Sequence, residues 1–140
     1  MEARRHESVP LSLDEDPVDY QPNSPFWRLC SPRLRAVLDA SKSPVDRVTW
    51  IPVELTALGQ RLRYFRLQSP PLLELLHPST IMAGKLVVKP VLDLDRVKPH
   101  RVFVLAKDSM LVVAEAVREA IVAANCTGIV FLNVLMAARD

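Results

Sequence analysis

Ser31-Pro-Arg-Leu-Arg-Ala-Val-Leu-Asp-Ala-Ser41, followed by Val48-Thr-Trp-Ile-Pro-Val53, is the stretch on which the fold turns. Ser31 is a favoured N-cap, and Pro32 suits the first helical position, where a missing N–H costs nothing. Leu34, Val37 and Leu38 then fall at helical spacing and form one apolar stripe, and Ser43-Pro44 ends the helix. Val48–Leu55 reads as a strand, with Val48, Trp50 and Pro52 on one face and Ile51 and Val53 on the other. Pro52 cannot donate to a ladder, so this strand is expected at a sheet edge or kinked there.

The same order returns later. Ala114-Glu-Ala-Val-Arg-Glu-Ala-Ile-Val-Ala-Ala124 is the strongest helix, and Ile129-Val-Phe-Leu-Asn-Val134 follows it. Leu34 answers Val117, Leu38 answers Ile121, and Trp50 answers Phe131. Val117, Ala120, Ile121 and Ala124 line one side of the second helix; Glu115, Arg118 and Glu119 line the other. Asn125 and Gly128 supply stop signals. Two such units predict a pseudo-twofold helix–strand repeat, each helix hiding its stripe on a shared sheet. Between them lie a turn at Gly59, a returning strand at Arg61–Leu67, and short β-rich runs at Lys85–Leu92, Arg101–Ala106 and Met110–Val113. Leu72–Leu76 fits a strand or a helical turn equally, and Ile129–Leu135 closes the chain as a strand. The expectation is an α+β fold: a mostly antiparallel sheet of short strands with two main helices packed on it.

The chain has 140 residues, 49% hydrophobic and 24% charged, which is one ordinary domain. Net charge is +2, no case for a strongly basic nucleic-acid binder. Residues 1–30 differ from the rest, with six acids against three bases and Pro10, Pro17, Pro22 and Pro25. They read as an acidic, extended arm over residues 1–23, poorly ordered near its start, ahead of a domain at 24–140. Asp14, Glu15 and Asp16 interrupt the apolar stretch that a signal peptide needs, and no run reaches the roughly 18 apolar residues of a membrane span. A cytoplasmic protein without membrane contact is expected.

Catalytic patterns are thin. His77 and His100 with Cys30 or Cys126 are not at a structural-zinc spacing. Ser79 or Ser109 with His77, His100 and Asp108 lacks a nucleophile elbow. Neither a metal nor a cofactor is expected, and no catalytic residue is assigned. Arg61, Arg63 and Arg66 with Tyr64 and Phe65 make a basic, aromatic strand, but alternation puts Arg66 on the other face, so a solvated strand is the better account. Asp93 and Asp95 read as turn or strand-end residues.

The order Ser31-Pro-Arg-Leu-Arg-Ala-Val-Leu38, Val48-Thr-Trp-Ile-Pro-Val-Glu-Leu55 and Arg63-Tyr-Phe65 resembles bacterial immunity proteins of the Myxococcus type, which accompany polymorphic toxin systems. His100-Arg-Val-Phe-Val-Leu105 and the ending through Thr127-Gly-Ile-Val-Phe131 fit the same pattern, over roughly residues 24–136. The related double-CxxCG proteins share that ending, but this chain has no CxxC pair. Where the family usually has a Ser before the second helix, this chain has Ala114. The resemblance implies a non-catalytic protein that binds and neutralises a cognate toxin by occluding it. Toxins acting on nucleic acid carry basic clefts, so Asp14, Glu15, Asp16, Asp19, Tyr20 and Trp27 are the candidate toxin-binding residues. The rival expectation is a small enzyme or ligand-binding domain with a pocket between sheet and helices.

Overall fold

The computed structural model describes residues 7–13, 17–21, 28–106 and 111–138. The chain runs β1 (Glu7–Leu13), β2 (Tyr20–Gln21), β3 (Leu29–Cys30), α1 (Pro32–Ser41), β4 (Thr49–Ala57) and β5 (Gln60–Gln68). A 3₁₀ turn at Leu73–Leu75 leads to β6 (Ile81–Ala83), β7 (Leu86–Lys89), β8 (Val91–Asp93) and α2 (Leu94–Val97). β9 (Val102–Val104), β10 (Leu111–Val113), α3 (Glu115–Ala123) and β11 (Leu135–Ala137) complete it. The protein is an α+β fold, but among the described residues its strands form one five-stranded sheet, ordered β1-β4-β5-β3-β2, and three two-stranded ladders.

The β4–β5 hairpin is the frame. Its turn, Leu58-Gly59, has φ of 51° and 80°, so both positions are left-handed and match the twist of the flanking strands. Pairing runs without a break from Thr49↔Gln68 to Ala57↔Gln60. β4 is not an edge strand overall, since β1 lies parallel along its other side. That ladder starts only at Val53, however, so the missing N–H of Pro52 falls outside it.

Ser31 caps α1 as its sequence predicts, its Oγ accepting from the Leu34 N–H at 3.1 Å. α3 has no side-chain cap, because Ala114 stands at that position. Leu34 and Leu38 of α1 and Val117 and Ile121 of α3 are all buried in one core with Cys30, Val48 and Leu67. On the far side of the helix, Arg118 pairs with Glu115 in solvent. β9 is buried on both faces: Val102 and Val104 enter that core, while Phe103 packs with Leu75, Leu92 and Leu105 in another. Its run Val102-Phe-Val-Leu105 is unbroken apolar sequence for this reason.

Two expectations are corrected. The helix halves of the repeat match, but the strand halves do not: residues 129–134 form no strand, and only Leu135–Ala137 reach a partner, β8. Trp50 packs against the core and Phe131 is 37% exposed. Strand-forming side chains need a neighbouring ladder to become a strand, and β8 offers one only from Leu135 on. Second, the described parts of the acidic segment belong to the domain sheet rather than to a separate arm. β1 borders β4, and β2 pairs with β3 across the expected boundary at 23/24. No helix among the described residues is long and apolar enough to cross a membrane.

Candidate functional site

Asp19 and Tyr20, two of the candidate toxin-binding residues, are built into the fold. Asp19 accepts from Ser31 Oγ at 2.5 Å and from the Thr127 N–H at 2.8 Å. The Tyr20 N–H donates to the Thr127 carbonyl at 3.1 Å, and the Tyr20 ring packs on the helix core. One carboxylate thus ties residue 19, the α1 cap and the turn after α3. Burial pushes the Asp19 carboxyl up, but the donors from Ser31 and Thr127 and the charge of Arg33 outweigh it and hold it below the ordinary 3.8. A depressed folded-state value means that this contribution is full above the unfolded value and fades as pH falls through the folded one. Asp19→Asn is therefore expected to flatten the acid limb of the stability–pH profile below about pH 4; a wild-type slope in the variant's urea midpoints would sink this. Asp14, Glu15, Asp16 and Trp27 lie outside the described residues.

Gly128 explains the Thr-Gly pair beside this node. Its φ is +80°, and a Cβ there would sit 2.5 Å from Val18 Cγ2 and 2.6 Å from the Tyr20 carbonyl oxygen. Gly128→Ala is expected to cost about 1–3 kcal/mol, read as a lowered thermal midpoint. An unchanged midpoint would show that the N-terminal segment does not press on this turn.

Asp46 forms a second node that the sequence reading missed. Its buried carboxylate accepts from the backbone N–H groups of Ser43 (2.8 Å), Arg101 (3.0 Å) and Val102 (3.0 Å) and from His100 Nδ1 (3.2 Å). Ser43 Oγ donates to the Pro99 carbonyl at 2.5 Å. The loop after α1 is thereby fastened to the start of β9. A His–carboxylate pair is what a catalytic reading would seek, but here it closes a joint. The Ser43-x-x-Asp46 spacing, a reciprocal turn pattern, was the available signal.

The other candidates have structural employment too. His77 Nδ1 lies 2.8 Å from Ser79 Oγ and accepts the Ser79 N–H at 3.1 Å, while Nε2 faces the Ala138 carbonyl at 3.3 Å. A proton on Nε2 satisfies all three contacts. The Ser79 N–H, which an oxyanion would need, is spent on the ring. Asp108 and Ser109 lie outside the described residues. Burial, with Cys126 nearby, pushes the Cys30 thiol up, and burial does the same for Cys126; both are poor nucleophiles at neutral pH. Among the described residues no group of three or more His, Cys, Asp or Glu is placed to hold a metal ion. Asp93 caps α2, accepting from the Asp95 and Arg96 N–H groups at 3.2 Å.

The basic, aromatic strand is divided as alternation predicts. Arg61, Arg63 and Phe65 share a face of β5, and Tyr64 and Arg66 share the other. Its aromatics are in use. The Arg35 guanidinium lies 4.4 Å over Phe65 and 5.6 Å over Trp50, and Tyr64, buried, donates from its hydroxyl to the Val18 carbonyl.

What the fold does leave exposed is apolar. Ile81, Met82, Leu86 and Val88 of the β6–β7 hairpin are 54%, 42%, 56% and 55% exposed, and Leu135 and Met136 of β11 are 54% and 57%. The two groups meet at Val91: Thr80 Oγ1 bonds both its N–H and its carbonyl at 3.0 Å, and Leu135 is its ladder partner. Val130 and Leu132, just before β11, are 85% and 68% exposed. The sequence reading took Lys85–Leu92 and Ile129–Leu135 as strands and left Ile81 and Met82 unassigned; it did not anticipate their exposure.

No protein-family model matches the chain, and no curated protein matches its sequence. The fold and the exposed face are therefore the ground for a functional reading.

Proposed function

We propose that the protein is a non-catalytic, immunity-like protein that acts in the cytoplasm, binding a cognate toxin stoichiometrically and occluding it. The apolar exposure on the β6–β7 hairpin and around β11 carries this reading. Large side chains clustered in water raise the free energy of a lone domain and mark surfaces that a partner covers. The resemblance of the sequence to immunity proteins of the Myxococcus type points the same way. The hydrogen-bonding groups that a catalyst would deploy, Asp46, His100 and His77 among them, support the reading by being tied up in joints of the fold. Neutralisation by occlusion requires a slow off-rate more than a fast encounter.

The test is co-expression with the product of the gene adjacent to this one, in cells that this product alone kills. Survival with the protein present, and a stable complex of the two on size-exclusion chromatography, is the expected result. Death at equal expression, or protection without a complex, would overturn it.

A further inference from the structure

We infer that the face formed by the β6–β7 hairpin, residues 129–134 and β11 is the docking surface, and that its partner is a protein whose apolar contact patch is bordered by carboxylates. The inference rests on the immunity reading and names the chemistry of the partner.

Charge within the two segments that build this face has one sign. Between Leu75 and Asp93 the chain carries no carboxylate, only Lys85 and Lys89. From Cys126 to Ala138 it carries no Asp, Glu, Lys or Arg at all. Neither lysine is paired with a carboxylate among the described residues. A partner that covers the apolar centre therefore meets uncompensated positive charge at the hairpin, and carboxylates there lower the cost of desolvating it. An isolated two-stranded hairpin is marginal in water, so burial under a partner stabilises it as well.

Two other occupants fit less well. A lipid-inserting hairpin leads with an apolar tip, whereas this one turns at Gly84-Lys85. A second copy meeting the same face in a twofold contact brings lysines to a surface that has no acid to receive them. The exposed half of the five-stranded sheet, with Arg61 and Arg63 opposite Thr56 and Glu54, carries its own counter-charge and serves as the control face.

The experiment measures affinity of the full chain for the same adjacent-gene product. Leu86→Glu with Val88→Glu, and separately Lys85→Glu with Lys89→Glu, are expected to weaken binding about tenfold or more. The lysine effect should shrink as salt rises. Arg61→Glu with Arg63→Glu should leave affinity within about twofold, a rim-scale change. Because the substituted side chains are exposed, denaturation midpoints should stay near wild type. Wild-type binding that both hairpin variants retain overturns this inference while leaving the immunity reading standing; absence of wild-type binding overturns that reading itself. Sedimentation with phosphatidylcholine–phosphatidylserine vesicles, or a concentration-dependent dimer, abolished by Leu86→Glu with Val88→Glu in either case, would reassign the face to lipid or to a second copy.

Discussion

Asp46→Ala is expected to lower the unfolding free energy by about 3–5 kcal/mol. The carboxylate is fully buried and accepts from three backbone N–H groups and from His100. Alanine removes every one of these acceptors and adds none. Each orphaned buried donor costs about 1–3 kcal/mol, reduced where the loop opens and admits water. The joint so weakened also holds Val102 and Val104 in the helix core, so the loss spreads to packing. Asp46→Asn keeps one acceptor oxygen and should lose less. Urea midpoints of the two variants check the order; equal midpoints for Asp46→Ala and wild type would remove this joint from the stability of the fold. Since total stability is of the order of 5–15 kcal/mol, the alanine variant is best measured in the cold with refolding followed directly.

Leu38→Ala is the second large effect, about 2–5 kcal/mol. Leu38 is 1% exposed and sits among Leu34, Leu67, Val117 and Ile121, where both long helices and the sheet converge. Three elements cannot all close on the cavity, so the cost should lie above that of Val37→Ala, a half-buried position on the rim of the same cluster. An unchanged guanidinium midpoint for Leu38→Ala would take α1 out of the core.

These two positions also mark what could and could not be read from sequence. Leu38 was legible because helix signals are local: a Ser-Pro start and a stripe three and four residues apart lie within eleven residues. The Leu58-Gly59 turn and the unbroken apolar run of β9 were legible for the same reason. Asp46 was not, because its meaning depends on residues 100–102, more than fifty positions away. Asp19 was read as a docking charge, since nothing near it in sequence announces Thr127, 108 residues on. The segment 129–134 was read as a strand because composition reports which side chains tolerate a pleat, not whether a neighbour lies alongside. Sequence also does not show which apolar runs end in water: among the described residues nothing covers Ile81, Met82, Leu86 and Val88, and only the arrangement in space reveals this.

The order of the five-stranded sheet has a practical corollary. β1 and β2 follow each other in the chain yet lie on opposite margins of it. Residues 7–13 and 20–21 thus act as a selvedge on both sides of the same cloth. A protease cut or an expression start just after Gln21 would strip the two hems together, leaving β4 and β3 as raw rims open to pairing between molecules. Trimming that passes for removal of an acidic tail is therefore expected to leave the shortened protein more prone to stitch itself to its neighbours.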